Sequence, residues 1–420
     1  MVQIKFIFHS VFMKIIHTSD WHIGHLFYQY NREDEHEFFF EQLIRIVQEE
    51  KPDVLIVSGD IFHTATPPIA AQKIYYRNLV KLSRCDEDLQ IIITAGNHDS
   101  PSRIEAPKLL WDAFNVQVVG TMERSSDGNA PIVLYEKMLV PISRNGTKIG
   151  WVVAAPYIYQ NNYPSKNGEE SIEQRVTDFY RNILSRRDGN TLPTVATGHF
   201  YVRGCDTKGH DTNIIGGLDC ISSACLKECR DVDYWALGHI HHPQEIGKEE
   251  SIRYSGSPFA ISFDEKYSHS IVIADIEKEA VSIRLKEITP LIPIADIPAK
   301  PLPYDEVMDE ICQIPADKRL YVRVKVETET PLTPTQTAKI QQAFSGKEAR
   351  FCLIEPHFPE RKRTTGEIEI KSINEMKRLS PMELAKQFYK ESTNCEMTDE
   401  MQNFVNDILH SEEEPNDEAS

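Results

Sequence analysis

Five segments of the 420-residue chain place metal-ligand residue types directly after short apolar runs. They read Ile15-Ile16-His17-Thr18-Ser19-Asp20-Trp21-His22, Val54-Leu55-Ile56-Val57-Ser58-Gly59-Asp60, Ile91-Ile92-Ile93-Thr94-Ala95-Gly96-Asn97-His98-Asp99, Thr194-Val195-Ala196-Thr197-Gly198-His199 and Ala236-Leu237-Gly238-His239-Ile240-His241. In all but the first, a glycine precedes the ligand type and is expected to allow a tight turn. Carboxylates, imidazoles and one amide make a mixed oxygen and nitrogen set without thiolate, which suits Mn, Fe, Mg or Zn. Seven candidate ligands are too many for one ion, so the pattern implies two. Paired ions sit roughly 3.5–4 Å apart, hold a bridging hydroxide and neutralise the charge of a phosphoryl transition state. Hydrolysis of a phosphate ester is the natural reaction.

Such residues need a scaffold that brings them to one place. Between Lys14 and Leu237 short apolar runs alternate with amphipathic segments, which predicts an α/β sheet. The predicted strands are Lys14–His17, Val54–Val57, Gln90–Thr94, Pro193–Ala196 and Tyr234–Leu237, with helices over Arg32–Glu50, Pro68–Leu82 and Glu170–Arg187. Loops after strand C-termini of such sheets converge on one crevice. After Ser270 the spacing shortens to strands Ile271–Ile276 and Val281–Ile288. Pro290, Pro293, Pro298, Pro301 and Pro303 then read as an extended linker. Beyond it, Leu320–Glu327, Pro334–Phe344 and Ala349–Glu355 form a strand, helix, strand pattern, expected as a small α+β domain. Two amphipathic helices, Pro381–Glu391 and Thr398–His410, end the chain; they either dock on the body or bind a partner.

The motifs D-x-H, G-D, G-N-H-D, G-H and G-H-x-H, in that order, resemble the calcineurin-like metallophosphoesterase superfamily. Within it the chain is similar to the SbcD nuclease subunits, bacterial relatives of the eukaryotic double-strand-break repair nuclease. The similarity rests on Trp21 and Ile23-Gly24, Ser58-Gly-Asp-Ile-Phe-His63, Gly96-Asn-His-Asp-Ser100, Gly238-His-Ile-His-His-Pro-Gln244, Tyr254-Ser-Gly-Ser-Pro258 and Ser262-Phe-Asp-Glu265. It covers Met13 to about Glu287 well and the tail moderately. The resemblance implies a two-sheet sandwich flanked by helices, with a capping domain and a helical partner-binding element. It implies one metal held by Asp20, His22, Asp60 and His241, and a second by Asp60, Asn97, His199 and His239, with Asp60 bridging. It gives His98 the role of stabilising or protonating the leaving oxygen, Asp99 that of orienting it, and His63 a place near the active site in exonuclease action. The implied function is a nuclease using two ions, Mn2+ foremost. It would cut duplex ends as an exonuclease and single strands or hairpins as an endonuclease. Its implied partners are DNA and an SbcC-type ATPase held by the tail helices, with a homodimer inside a heterotetramer.

The expected divisions are 1–12 as an N-terminal extension or start-site choice, 13–288 as the nuclease domain and 289–372 as the DNA-positioning cap. Residues 373–410 are the ATPase-binding helices and 411–420 a disordered acidic tail. Formal charge is −18, but ten acidic residues and no Lys or Arg fall after Lys390, so the rest carries only −8 and a nucleic-acid substrate stays open. No run of eighteen apolar residues marks a membrane span. Eight scattered cysteines in a chain this long point to a reducing, cytoplasmic setting, nucleoid-associated if the resemblance holds. Cys220, Cys225 and Cys229 match no zinc-finger spacing and are expected as buried thiols on a helix. Arg203, Lys208 and Arg361-Lys362-Arg363 are candidates for phosphate contacts or plain solvated charge. The other nine histidines, His9, His17, His25, His36, His210, His242, His269, His357 and His410, are expected to be structural or at the surface. No G-x-x-x-x-G-K-[ST] occurs, so ATP dependence would come from the partner. The rivals are a nucleotide phosphodiesterase or a protein phosphatase, and a silent scaffold. Calcineurin-type phosphatases carry G-N-H-E and a D-R-G segment where this chain has Gly96-Asn97-His98-Asp99 and Ile61-Phe62-His63-Thr64, and the full ligand set argues against a silent scaffold.

Overall fold

The computed structural model describes residues 12–125, 131–166, 168–207 and 220–358, with a few positions between 382 and 402. Two compact units divide the chain at Phe358. Apart from those few positions, the predicted tail helices lie outside the described residues, as do residues 1–11, Lys208, the Arg361–Arg363 run and the acidic tail.

The first unit is built on two six-stranded sheets. In the first, Met13–Thr18 pairs in parallel with Val54–Ser58, followed by Gln90–Thr94 and Val116–Val119; on its other side lie the antiparallel Ser270–Glu277 and Ala280–Glu287. The second runs Gln244–Ile246, Glu249–Tyr254, Tyr234–Gly238, Thr194–His199, Thr147–Val153 and Leu139–Arg144. Strand alternation explains how a nearly all-apolar strand packs on two faces. Ile15, Val54, Ile56, Ile92, Val272 and Ala274 enter the core that also holds Val140, Val152, Val195 and Ala236 of the second sheet. Their neighbours Ile16, Leu55, Val57, Ile91, Ile93 and Ile273 turn the other way, against Phe39, Leu43 and Val47 of helix Glu33–Glu50 and Tyr75 and Leu79 of helix Ile69–Ser83. Each such side chain contributes about 1.5–3 kcal/mol on burial, and a one-residue slip would exchange the two faces. Helix Ile172–Leu184, opened by a Ser171–Gln174 capping box, packs on the second sheet through Tyr180, whose ring meets Trp235 at 4.7 Å and whose hydroxyl donates to Thr197 O.

Two predicted strands are longer than the sequence indicates. Thr194–His199 and Tyr234–Gly238 continue through their glycines, so His199 stands on a strand end rather than in a loop. The proline-rich stretch is not a linker: Ile294–Pro303 is a strand at the edge of a third sheet, where missing N–H donors are tolerated. It pairs in parallel with Tyr321–Glu327, which pairs in parallel with Arg350–His357. Helices Tyr304–Gln313 and Pro334–Ala343 cover this sheet, adding one strand and one helix to those predicted. Val307, Ile311, Val322, Val324 and Ile340 give it its own core.

This third sheet is fastened to the body by polar contacts around Tyr321. Arg32 holds Glu35 through two hydrogen bonds of 2.9 and 2.7 Å, and Tyr321 donates to the same carboxylate at 2.7 Å. Arg323 reaches Asp264 at 3.1 Å, and Tyr30 donates to Phe351 O at 2.9 Å.

Candidate metal centre

The C-terminal ends of five strands, three from the first sheet and two from the second, meet at one edge of the sandwich. Asp20, His22, Asp60 and His239 sit there with left-handed backbones, φ 52°, 43°, 51° and 99°. For side-chain-bearing residues this costs on the order of 1–3 kcal/mol each and persists only where surroundings dictate it. A backbone ladder does so at the first two motifs: Asp20 N–H donates to Gly59 O, His22 N–H to Asp60 O and Ile23 N–H to Ile61 O, at 2.9–3.0 Å.

The glycines before the ligand types serve two different needs. Gly59 has φ 88°, the turn the sequence predicts. Gly96 and Gly238 are there for close approach: a Cβ would lie 2.1 Å from Asp60 Oδ1 at the one and 1.8 Å from Ser58 O at the other. Only bare backbone lets the third motif come this near Asp60 and the second sheet this near Ser58.

The seven predicted ligands come together in two neighbouring groups. Asp20, His22 and His241 form one set whose ligand atoms all lie within 4.8 Å of one another; Asp20, Asp60 and His199 form another. Asp60 Oδ2 stands between them, 3.6 Å from His22 Nε2 and 3.3 Å from His199 Nε2. Asn97 Oδ1 lies 3.0 Å from His199 Nε2 and 3.1 Å from His239 Nδ1. Asp20, His22, Asp60 and His199 are buried, whereas Asn97, His98, His63 and His239 are only partly covered and form the open rim.

A surrounding layer sets which nitrogen faces inward. His199 Nδ1 donates to Ser58 O at 2.9 Å and His241 Nδ1 to Glu265 Oε1 at 3.2 Å, so both present Nε2 to the cluster. Ser19 donates to Asp20 at 2.5 Å and meets Ser255 at 2.7 Å. Glu265, Ser19 and Ser255 were not singled out as functional by the sequence, although Glu265 and Ser255 fall in segments that carry the family resemblance. Their only signal was that likeness, because nothing in Ser262-Phe-Asp-Glu265 tells which carboxylate turns inward.

Burial opposes charge on Asp60 and His199, yet their mutual attraction wins: His199 is pushed up to about 9 and Asp60 held far below the carboxylate range. Burial and the neighbouring Asp60 raise Asp20. His241, lowered by burial, is carried above the imidazole range by Glu265, Asp20 and Asp60.

The donor set fits divalent cations. With Nδ1–H given to Glu265, His241 turns Nε2 inward, where it faces His22 Nε2 at 3.2 Å. Among the described residues, His22 Nδ1 is buried without a hydrogen-bond partner. Two adjacent carboxylates, an amide oxygen and inward imidazole nitrogens thus converge lone pairs on one space, as hard and borderline metal ions require.

The structure corrects one predicted pairing. Among the described residues the Asp99 carboxylate makes no hydrogen bond to His98; it accepts from the N–H groups of Ile61 (3.1 Å), Phe62 (2.9 Å) and Gly96 (2.8 Å). Three backbone donors from two loops claim it, so Asp99 ties the second motif to the third. Burial, reinforced by Asp60, pushes its carboxyl up to about 7. His98 is held instead through Nδ1–H to His63 O at 2.9 Å and its own N–H to Asp60 Oδ1 at 2.9 Å. The His63 ring stacks on His98 at 5.6 Å and 19°. His22, His63 and His98 form a third close group beside the other two.

Other candidates lie apart. His17 is buried against Tyr234. Cys225 and Cys229 are buried, their thiols donating to the carbonyls of Glu173 and Thr177, but only Cys225 lies on a helix, Ser223–Lys227, and Cys220 is on a short strand. Burial pushes the Cys229 thiol up to about 12, and no cysteine joins a metal-competent group among the described residues. Arg203 is exposed. Among the described residues no helix is long and apolar enough to cross a membrane.

Residues 13–243 match the family described as calcineurin-like phosphoesterase, and residues 290–393 match the type 5 capsule protein repressor C-terminal domain. The SbcD subunit of nuclease SbcCD from Escherichia coli K12 is 34% identical over 285 residues, 64% of this chain and 67% of that one. Its namesake in Rhodobacter capsulatus is 33% identical over 306 residues, 69% of this chain and 74% of that one. The Bacillus subtilis counterpart is 26% identical over 402 residues, 92% of this chain and 95% of that one. With a site assembled from both sheets and likeness of this extent, the chain belongs to the calcineurin-like phosphoesterases, among the SbcD nuclease subunits.

Proposed function

We propose that this chain hydrolyses DNA phosphodiester bonds with two divalent ions, Mn2+ foremost, as exonuclease on duplex ends and endonuclease on single strands and hairpins. The observation that carries the reading is the convergence of seven oxygen and nitrogen ligands on either side of Asp60, with His98 at the open rim. Ions held by Asp20, His22, Asp60 and His241 and by Asp60, Asn97, His199 and His239 would supply Lewis-acid polarisation of the phosphoryl group and activation of water. The protein's own part is positional and protonic. Ser58 O and Glu265 fix the inward nitrogens of His199 and His241. His98, with Nδ1–H committed to His63 O, has Nε2 left for the substrate; as the imidazolium it gives that proton to the leaving oxygen. His63 acts on this reading through its carbonyl and its stacked ring.

Residues 13–288 are the catalytic domain, 289–372 position DNA, and 373–410 dock on an SbcC-type ATPase in a cytoplasmic, nucleoid-associated heterotetramer. Support for the homodimer within it comes from Leu109 and Leu110, 86% and 69% exposed beside Trp111, whose ring packs on the helix that begins at Ile69, itself 71% exposed.

The test is cleavage of linear duplex and hairpin DNA with Mn2+, Mg2+ or chelator, with and without the ATPase, beside His98→Ala. Metal-dependent cleavage that falls by about 10²–10⁴ in the variant is expected. Intact DNA under all conditions with rapid hydrolysis of a small phosphodiester overturns the nuclease reading.

A further inference from the structure

A cavity of about 540 Å3 opens beside the metal-ligand cluster and shares Gly96, Asn97 and Asp99 with it. Its far wall is the segment after strand Thr147–Val153, carrying Tyr157 and Tyr159, with Arg124 and Asn162 alongside. The segment is tied to the site, since Tyr157 N–H donates to Ala95 O at 2.8 Å, one residue before the G-N-H-D motif. The Tyr157 ring stands edge-on to His199 at 6.1 Å and 89°, and Tyr159 edge-on to Tyr157 at 5.0 Å and 76°. A row of rings therefore leads from a candidate metal ligand out to Tyr159, which is 64% exposed. Arg124 donates to Asn162 O at 3.2 Å, a neutral partner, and no carboxylate pairs with it among the described residues.

An exposed tyrosine alone carries no meaning, and neither does an unpaired surface arginine. Their place here does: an aromatic face and a guanidinium bound to a neutral carbonyl line one cavity that ends at the cluster. This is the composition of a single-strand platform, in which rings stack bases and cations follow the backbone. The volume suits one nucleotide rather than a duplex.

We propose that this cavity is a subsite for an unpaired nucleotide flanking the cleaved phosphate, with Tyr159 stacking its base and Arg124 contacting its backbone. The proposal rests on the nuclease reading and deepens it: the strand next to the scissile bond must leave its duplex to be cut.

The full chain is tested with single-stranded oligonucleotides carrying 2-aminopurine or one abasic residue at successive positions, using wild type, Tyr159→Ala, Tyr159→Phe and Arg124→Gln. Tyr159→Ala is expected to raise Kd and KM about 5- to 150-fold, and Tyr159→Phe to restore most of it. At one abasic position beside the cleaved bond the wild type should lose the same factor, and the loss in Tyr159→Ala should shrink correspondingly. Quenching of 2-aminopurine at that position should vanish in Tyr159→Ala, a readout independent of turnover. Arg124→Gln should weaken all sequences alike and flatten the dependence of log K on log salt by about 0.7. If wild type cleaves DNA while folded Tyr159→Ala keeps its Kd, KM and quenching within twofold, the subsite is refuted and the nuclease reading stands. If wild type hydrolyses only small phosphodiesters and binds no oligonucleotide, both fall.

Discussion

Replacing Glu265 tests whether the layer behind the ligands governs the metal site. Glu265 is 2% exposed and accepts from His241 Nδ1 (3.2 Å), Ile261 N–H (3.2 Å) and Ser257 Oγ–H (3.4 Å). Glu265→Ala leaves the buried His241 Nδ1–H and the half-buried Ile261 N–H without this acceptor, at about 1–3 kcal/mol of folding stability for the first and less for the second. It also frees the His241 ring to turn its Nε2 away from His22. Loss of such an orienting partner typically lowers metal affinity by about 10–100-fold, which corresponds to about 1.4–2.7 kcal/mol less stabilisation by metal. Glu265→Gln keeps a carbonyl oxygen for His241 and should recover most of the stability. Lacking the charge that holds His241 basic, it should recover only part of the affinity. Calorimetric titration with Mn2+ and thermal melts with and without the ion separate the two effects. A folded Glu265→Ala variant that binds Mn2+ within twofold of wild type would refute the reasoning, because His241 would then need no orienting carboxylate.

Three further outcomes follow from particular contacts. Gly238→Ala should force the two sheets apart by roughly an ångström where its Cβ meets Ser58 O, costing about 1–3 kcal/mol in urea unfolding and on the order of 100-fold in cleavage, since Ser58 O holds His199; unchanged midpoint and rate would contradict it. His17 is lowered to about 3 by burial, so the unfolded chain takes up its proton first. Stability is therefore complete above the unfolded value near 6.5 and declines as pH falls through the window down to about 3. Relative to His17→Gln, wild type should lose about 1.4 kcal/mol more per pH unit within it, and parallel pH profiles would count against this. Tyr321→Phe removes a 2.7 Å bond to buried Glu35 and should lower the unfolding free energy by about 1–3 kcal/mol; a change below about 0.3 kcal/mol would show that Arg32 alone satisfies the carboxylate.

The parts of the site legible in the sequence were those encoded by residue type next to an apolar run. Val54–Ser58 and Gln90–Thr94 announce themselves as buried strands, and a ligand type just past each end has few places to go but the crevice. Orientation was not legible. Asp99 follows His98 in the chain, yet three backbone N–H groups from two loops take its carboxylate, a contest that only the folded loops reveal. The second sheet was mostly hidden because strands such as Glu249–Tyr254 begin with exposed polar residues and do not alternate cleanly. The proline-rich edge strand was hidden for the opposite reason: five prolines signal extension, and only the neighbour Tyr321–Glu327 turns extension into pairing.

One loop then explains why residues far from the metal ligands matter to them. Between Ser255 and His269 the chain supplies Ser255 to Ser19, and through it to Asp20, and Glu265 to His241. From the same few residues Asp264 reaches Arg323, and Lys266 reaches Asp296 of the third sheet. Arg323 and Asp296 also pair directly at 2.8 Å, so that sheet grips the loop at two adjacent points, on either side of Glu265. The Asp264 and Lys266 side chains are more than one third exposed, and each ion pair alone is worth little. Their consequence is geometric: in the turn where Glu265 N–H donates to Ser262 O and Lys266 N–H to Asp264 O, Asp264 and Lys266 reach the third sheet while Glu265 reaches His241. The third sheet is therefore bonded to the residues on either side of the carboxylate that sets the His241 ring. The unit proposed to position DNA and the ligands proposed to hold metal thus both contact the one segment from Ser255 to His269, through Asp264 and Lys266 on one side and Ser255 and Glu265 on the other.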